Sequence, residues 1–269
     1  MKIALLWNFD RAEEIYSNWR DGLRAAIDLI GVENDVDIYC GQDAKRLEGE
    51  YDFLLFWTDS TDPFLAFYKE NPTKKGLILT TDPHDFNNLK NMDVIFCESK
   101  PVYDQVKRQG LRAILAFGTD EEFYSPKKGK KDIKYFYPAT FSPWKLQRDI
   151  AFKGKDLTCV GTIQPDGVED YEACKEKGVN LEVGYFPPEH IRDLYRKSEY
   201  VLIPAIHGSE RTCLEAMSMD IIPQVNPNNK RTLSYVEEFF ASKETHPRNF
   251  IKKKYSAKHY ADQLLRGMQ

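Results

Sequence analysis

The sequence has no uninterrupted apolar run that approaches the roughly 18 residues of a membrane-spanning helix. Its first apolar stretch stops at Asn8 and Asp10, which is too short for the core of a signal peptide. The chain also has no large excess of charge of one sign, because 38 Lys and Arg nearly balance 42 Asp and Glu. These absences predict a cytoplasmic protein that binds no nucleic acid through its overall charge, and they leave a peripheral contact with a membrane open.

Cysteine is scarce. The chain has five cysteines, an odd number, and no two of them have the CxxC spacing of a zinc or redox site. Three of them lie inside apolar runs, which favours reduced thiols packed in a core over a disulfide framework. The five are Cys40, Cys97, Cys159, Cys174 and Cys213.

Several ligand-binding motifs are missing. No GxGxxG or GxxxxGK[ST] follows a predicted strand, which argues against the usual nicotinamide-cofactor site and against P-loop chemistry. No HExxH or other paired metal-ligand spacing occurs either. We therefore expect no cofactor and no protein-held metal.

What the chain does contain is a repeated alternation of strand and helix. It has 269 residues, 42% of them hydrophobic, which is enough for two domains with their own cores. In the first half, predicted helices over 10–30, 62–71 and 100–110 separate predicted strands over 2–7, 35–39, 52–57, 76–81, 93–97 and 111–117. Strands that are apolar on both faces indicate a parallel sheet covered by helices on both sides.

The second half repeats this architecture after a lysine-rich break. Residues 124–134 contain five lysines and almost nothing apolar, which is typical of a solvated linker. Strands are predicted over 134–138, 157–161, 179–185, 200–204 and 221–225, and helices over 143–152, 188–197, 209–219 and 255–268. The sequence predicts an N-terminal Rossmann-like domain over 1–124, a linker over 125–133 and a C-terminal Rossmann-like domain over 134–269.

The polar residues that follow the strands are the candidate site, because open parallel sheets bind ligands beyond the carboxyl ends of their strands. In the first half, the segment TTDPHDF places His84 at such a strand end. His84 is therefore a candidate catalytic residue. The alternative is a loop histidine that caps the following helix or hydrogen-bonds Asp85.

The most informative segment is YVLIPAIHGSERTCLEAMSMDIIPQV, over 200–225. A buried strand leads into a loop that contains Gly208, and Ser209 is predicted to cap the helix that follows. The backbone N–H groups at such a helix start suit a phosphate or diphosphate. Glu215 lies about two turns into the helix, where a carboxylate can accept hydrogen bonds from both hydroxyls of a ribose. The alternative is an exposed glutamate on a surface helix.

This segment resembles the nucleotide-sugar motif of family 4-like glycosyltransferases, in which two glutamates eight positions apart frame a G-S-E-R-like sequence. Glu215 matches the second glutamate, which holds the ribose in that family. His207 stands where the family has the first glutamate, the residue that contacts the donor sugar. The resemblance therefore implies a sugar contact at His207 through different chemistry.

A second resemblance lies in YPATFSPWK, over 137–145, which is similar to the family's strand-G-R-x-x-x-x-K segment. There, arginine and lysine bind the donor diphosphate. Lys145 matches the lysine, and Thr140 stands in the place of the arginine. A third match, over 180–205, has the family's order of strand, glycine, helix and strand. Together these matches cover about 110 residues of the second half.

The resemblance implies a GT-B fold, with two Rossmann-like domains facing across a cleft and a final helix that packs back on the first domain. It implies a metal-independent hexosyltransferase, a retaining enzyme that uses a nucleotide diphosphate sugar and a glycan, lipid or protein acceptor. Lys145 and the helix from Ser209 would stabilise the leaving diphosphate, with Arg211 and Thr212 as further donors. His84 would approach the reacting sugar. Two alternatives stay open: a non-catalytic module that binds nucleotide sugar or glycan, and another GT-B enzyme such as a nucleotide-sugar epimerase.

Overall fold

A computed structural model of the chain describes residues 1–7 and 21–269. The N-terminal part of the helix predicted over 10–30 therefore lies outside the described residues. The chain divides into two compact units. The first comprises Met1–Gly118 with Ala257–Gln269, and the second comprises Thr119–Ser256.

The first unit contains a parallel sheet of six described strands in the order β2-β1-β3-β4-β5-β6. The strands are β1 (Lys2–Trp7), β2 (Asp35–Cys40), β3 (Phe53–Thr58), β4 (Lys74–Leu79), β5 (Val94–Cys97) and β6 (Ala113–Leu115). The helices of its Met1–Gly118 part are α1 (Gly22–Ile30), α2 (Phe86–Leu89) and α3 (Lys100–Arg108), with short 3₁₀ helices at Asp43–Lys45 and Pro63–Tyr68. In the register of β1 with β3, Ile3 faces Phe53.

The alternation of side chains along β3 supplies two cores at once. Phe53 and Leu55 pack into one apolar cluster, whereas Leu54 and Phe56 pack into the other. All four side chains are buried. A strand with apolar residues at every position is stable only when both faces of its sheet are covered, as the sequence of this strand predicts.

The last helix, α10 (Ala257–Met268), belongs to the first unit. Its apolar face, with Tyr260, Ala261 and Leu264, joins the same cluster as Leu23 and Ile27 of α1. The two compact units consequently do not coincide with the predicted ranges 1–124 and 134–269. The difference concerns the last helix, which the resemblance expects to pack back on the first domain, and residues 119–124, which belong to the second unit.

The second unit contains five described parallel strands in the order β11-β10-β7-β8-β9. The strands are β7 (Ile133–Pro138), β8 (Leu157–Gly161), β9 (Asn180–Val183), β10 (Ser198–Ile203) and β11 (Gln224–Val225). The helices are α4 (Gln147–Ile150), α5 (Val168–Glu176), α6 (Pro188–Lys197), α7 (Glu210–Ser218), α8 (Lys230–Ala241) and α9 (Pro247–Lys254). Tyr137 of β7 faces Cys159 of β8.

Two predicted elements of the second unit differ most from the structure. The helix predicted over 143–152 is reduced to α4 and a 3₁₀ segment, because Leu146 adopts a left-handed conformation with φ of 53°. The strand predicted over 221–225 shortens to β11. Its first residues instead complete the end of α7, where Asp220 has φ of 64° and Ile221 N–H donates to the Ala216 carbonyl.

A substitution at Gly76 of β4 tests how tightly the apolar cluster that contains Phe53 is packed. A Cβ at this position would lie 2.9 Å from ring atoms of both Phe53 and Phe96. We expect Gly76→Ala to lower the free energy of unfolding by about 1–3 kcal/mol through overpacking. Gly129→Ala is the matched control, because no atom lies within 4 Å of its added methyl group. Equal denaturant midpoints for the two variants would contradict the packing described here.

Candidate functional site

The second sheet has a topological switch point between β7 and β10. From β7 the chain goes to β8 and β9 on one side of the sheet and then crosses to β10 and β11 on the other. Ligands of open α/β sheets bind at the carboxyl ends of the two strands that flank such a point. The two loops that leave β7 and β10 are the ones that contain most of the predicted site residues.

The loop after β10 is held in place by α8. The Gly208 carbonyl accepts hydrogen bonds from Asn229 Nδ2 at 2.8 Å and from Thr232 Oγ1 at 2.7 Å. Asn229 also accepts from the Thr232 N–H and so caps α8. These bonds fix the position from which α7 begins.

Backbone strain is concentrated around this helix start. Among the described non-glycine residues, three have positive φ, and two of them, Leu146 and Ser209, directly flank the site. Such conformations cost on the order of 1–3 kcal/mol and persist where the surroundings impose them. Ser209, with φ of 74°, precedes the first residue of α7, and Gly208 before it has φ of 68°. The prediction that the Ser209 side chain caps the helix is wrong, because it makes no capping hydrogen bond and its hydroxyl oxygen instead accepts from Lys145.

Lys145 connects the two loops. Its Nζ donates to the Ser209 Oγ at 3.0 Å and to the His207 carbonyl at 3.3 Å. Both acceptors are neutral oxygens. A Cβ on Gly208 would lie 3.0 Å from the same Nζ, a tight contact, and the positive φ of 68° at this position independently favours glycine.

The ammonium of Lys145 is partly removed from water. Burial lowers its pKa below the ordinary lysine value, and the nearby positive charges of Arg211 and Arg231 lower the pKa further. Glu210 acts in the opposite direction. A poorly solvated positive charge is one that an anionic ligand stabilises.

Glu210 and Arg231 form an ion pair at the same helix start. The Glu210 Oε1 and Arg231 Nε lie 2.5 Å apart, and both side chains are buried. The carboxylate of Glu210 is thereby engaged by a guanidinium from α8. This pairing leaves the charge of Lys145 without full compensation by Glu210.

Glu215 lies further along α7 and is buried. Its Oε2 accepts a hydrogen bond from the Tyr195 hydroxyl at 3.0 Å, and its Oε1 lies 3.8 Å from the Arg211 Nε. Burial, with Glu215 next in effect, raises the pKa of Tyr195, so this hydroxyl stays a donor. The alternative of an exposed surface glutamate is wrong, whereas the ribose contact stays a prediction.

The two threonines among the predicted site residues have different surroundings. Thr140, in the loop after β7, is half-buried, and its hydroxyl is 3.1 Å from that of Thr162. Its carbonyl accepts from Gln147 Nε2 at 2.9 Å. Thr212 is buried and donates weakly to the Pro138 carbonyl at 3.4 Å. Thr212 therefore helps to join α7 to the end of β7.

Two exposed aromatic rings lie beside Lys145. The Trp144 and His207 rings are 6.4 Å apart at 60°. The loops that contain them are joined by a hydrogen bond of 3.1 Å from the Ile206 N–H to the Trp144 carbonyl. His207 thus stands at the edge of the Lys145 site with its ring exposed and its carbonyl bound to the ammonium.

His84 lies in the first unit, in the loop between β4 and α2. Its backbone N–H and that of Asp85 both donate to the buried Ser60 hydroxyl, at 2.9 and 3.1 Å. Asp85, rather than His84, caps α2 by accepting from two backbone N–H groups. The His84 side chain is exposed, and its catalytic role stays a prediction.

The described residues also lack two kinds of feature. In residues 1–7 and 21–269, no group of three or more His, Cys, Asp or Glu side chains is arranged to hold a metal ion. Within the same part of the chain, no helix combines the length and the apolar character needed to cross a membrane.

Comparisons with known proteins identify the fold class of the chain. Two Rossmann-like units with parallel sheets are the architecture of the GT-B fold, and solved GT-B enzymes match this chain along its length. No family model matches the sequence, and no curated protein matches it.

Individual solved structures share this fold at low sequence identity. The chain is similar to AviGT4, a glycosyltransferase involved in avilamycin A biosynthesis, with a TM-score of 0.63, 12% identity and coverage of 100% of this chain and 97% of that one. It is similar to the UDP-GlcNAc 2-epimerase of Neisseria meningitidis, with a TM-score of 0.59, 10% identity and 99% coverage of both chains. It is also similar to a UDP-forming α,α-trehalose-phosphate synthase from Burkholderia xenovorans, with a TM-score of 0.58, 11% identity and coverage of 97% and 79%.

Sequence reasoning missed several residues that build the site. Tyr195, Asn229, Thr232 and Arg231 act by holding Glu215, Gly208 and Glu210 in place. Asn229 and Thr232 belong to the segment NPNNKRT, whose pattern indicates a helix cap and gives no sign that it holds the Gly208 carbonyl. Arg231 gives no signal at all, because an arginine near a helix start is usually solvated.

Substitutions of Glu210 and Arg231 are expected to have coupled effects on the free energy of unfolding. Arg231→Met leaves a buried carboxylate without its guanidinium, and we expect it to lower the free energy of unfolding by on the order of 3 kcal/mol. Combining it with Glu210→Gln removes the uncompensated charge, so the double variant is expected to be more stable than Arg231→Met alone. Denaturant unfolding of the double-mutant cycle measures this. Strictly additive losses would show that the two side chains do not interact.

Proposed function

We propose that the chain is a glycosyltransferase that takes a hexose from a nucleotide diphosphate sugar. The observation that carries the proposal is the position of Lys145. Its partly buried ammonium lies against the start of α7, at the switch point of the second sheet. A diphosphate is the ligand whose charge and size fit a lysine and a helix N-terminus together.

The proposed chemistry at this point is stabilisation of the leaving group. When the bond between sugar and diphosphate breaks, negative charge grows on the β-phosphate. Lys145 and the first backbone N–H groups of α7 are fixed in advance, so they stabilise that charge without reorganising. In this proposal they supply the positive charge that a metal ion supplies in other transferases, and activity should persist in excess chelator.

Glu215 is the proposed ribose contact. The Tyr195 hydroxyl donates to one of its oxygens, and the Arg211 Nε lies 3.8 Å from the other. Each carboxylate oxygen has more than one lone pair. The carboxylate is therefore held in one orientation while retaining acceptor capacity. Arg211, whose side chain is about half exposed, is a further phosphate donor, and Thr140 lines the loop on the other side of Lys145.

The remaining parts of the proposal rest on resemblance. Retention of the anomeric configuration, a contact of His84 with the reacting sugar and a glycan, lipid or protein acceptor follow from the likeness to family 4-like glycosyltransferases. The glycosyltransferases and the UDP-GlcNAc 2-epimerase among the similar structures support a nucleotide-sugar enzyme of GT-B fold.

Product analysis with radiolabelled UDP-, GDP- and ADP-hexoses distinguishes the possible functions. The proposal predicts label in an acceptor product when cell extract supplies the acceptor, with and without excess EDTA. Loss of activity in EDTA and rescue by Mn²⁺ would contradict the role given to Lys145. An epimerised donor, without transfer, would make the protein an epimerase. Tight donor binding without turnover would make it a binding module.

Lys145→Ala tests the phosphate site directly. Losing one charge-assisted hydrogen bond to phosphate costs about 1.5–3 kcal/mol. We therefore expect the affinity for the bare nucleoside diphosphate to fall about 10- to 150-fold by calorimetry. Lys155→Ala, at an exposed position of the same unit, is the control and should leave the affinity unchanged. Identical affinities for the two variants would make Lys145 a surface residue.

The lowered pKa of Lys145 predicts a pH dependence. Only the protonated ammonium attracts phosphate, so nucleoside diphosphate binding should weaken as the pH rises through this pKa, below the ordinary 10.5. In Lys145→Arg the charge persists, and this weakening should disappear. In the same window the unfolded chain binds more protons than the folded one, so the free energy of unfolding of the empty protein should rise with pH. Affinity that is constant up to pH 10.5 would contradict the assignment.

Glu215→Gln tests the ribose contact. The amide retains an acceptor for Tyr195 but loses the charge and one acceptor oxygen. We expect binding of the bare nucleoside diphosphate and of the full donor to weaken alike, by about 1–3 kcal/mol. Tyr195→Phe, which removes the holding hydroxyl alone, is the matched comparison and should have a smaller effect. Unchanged affinity for both ligands in Glu215→Gln would remove Glu215 from the site.

A further inference from the structure

The Trp144 indole is largely exposed to solvent. Its exposed fraction is 55%, although tryptophan side chains are usually mostly buried in folded proteins. Its neighbour in space is the exposed ring of His207, and its neighbour in sequence is Lys145. Two aromatic rings thus stand open to solvent beside the proposed diphosphate site.

The segment that holds Trp144 is firmly fixed. Phe141 is fully buried, and its ring packs edge-on against Tyr171 at 5.6 Å. The Lys145 N–H donates to the Ser142 carbonyl at 2.9 Å, which closes a turn around the tryptophan. The strained φ of Leu146 follows immediately. The indole is therefore presented by a rigid turn, as a binding surface requires if little ordering entropy is to be lost.

We propose that the sugar ring of the donor stacks on the exposed face of Trp144, bordered by the His207 ring that is inclined at 60° to it, an inference that rests on the proposed function. A pyranose has faces of C–H groups, and these match the apolar, electron-rich face of an indole. Lys145, one residue further on, would hold the diphosphate attached to that sugar.

The nucleoside is assigned to the other side of the diphosphate. Glu215, its proposed ribose contact, lies five residues beyond the first residue of α7. Trp144 and His207 belong instead to the loops that precede the helix. A ligand that crosses the helix start from Glu215 to these loops brings its sugar, rather than its base, to the aromatic pair.

This aromatic pair recognises a sugar in a different way from the way in which a carboxylate side chain recognises it. A glutamate accepts hydrogen bonds from two hydroxyls, whereas an imidazole and an indole offer few hydrogen-bonding atoms and much apolar surface. The subsite therefore takes a neutral hexopyranose with an unobstructed C–H face. Its selectivity depends on that face more than on any single hydroxyl group.

Calorimetry with matched ligand pairs tests the proposal. UDP, GDP and ADP are each compared with their glucose esters, in the full chain and in Trp144→Ala. We expect Trp144→Ala to leave the bare diphosphate within twofold and to weaken its glucose ester on the order of tenfold. Trp144→Phe should recover most of the loss. Phe152→Ala, at an aromatic side chain of the same unit that is 74% exposed, should change neither affinity.

The other outcomes overturn the proposal in distinguishable ways. An equal loss for diphosphate and ester assigns the ring to the nucleotide, and no loss for either makes Trp144 an ordinary surface residue. A wild-type chain that binds diphosphates but gains nothing from the sugar has no stacking subsite. A wild-type chain that binds none of the six ligands rejects the proposed function itself.

Discussion

The ammonium of Lys145, held against the start of α7, is the interaction on which the rest of this site depends. It joins the loop after β7 to the loop after β10, the two loops at the switch point of the second sheet. Glycine at position 208 lets the ammonium approach closely, because an added Cβ would lie 3.0 Å from Nζ. A charge placed in this way is poorly solvated, and the polar groups around it only partly compensate for the loss of water.

Other features of the second unit maintain this arrangement. Asn229 and Thr232 hold the Gly208 carbonyl, and Arg231 engages Glu210, so α8 fixes the geometry without itself supplying a predicted ligand contact. The left-handed conformation of Ser209 persists because its neighbours are held on both sides. Strain, an engaged carboxylate and a partly buried ammonium occur together here, and the proposed binding site rests on this combination.

Much of the fold is predictable from the sequence, because the spacing of apolar residues along the chain follows which side chains are buried. The run FLLFW in β3 predicts a strand covered on both faces, and its side chains enter two separate cores. The helix over 188–197 and the strand over 157–161 have the predicted bounds. By contrast, α5 has the sequence VEDYEACKE, in which five of nine residues are charged and the apolar residues form only a weak stripe. The left-handed turn at Leu146 was equally hidden, because leucine is not a residue that signals positive φ.

The candidate site was predictable only where its residues lie in a continuous segment. Gly208 and Ser209, in the loop after β10, and Glu215 of α7 belong to one such segment, and Lys145 is found through the similar segment after β7. Tyr195 and Arg231 come from elements distant in sequence, so their contacts exist only in the folded chain. The most direct measurement is a crystal structure of the full chain with a bound nucleoside diphosphate. The account predicts a phosphate oxygen within hydrogen-bonding distance of Lys145 Nζ and of the first N–H groups of α7, and a diphosphate bound away from both would contradict it.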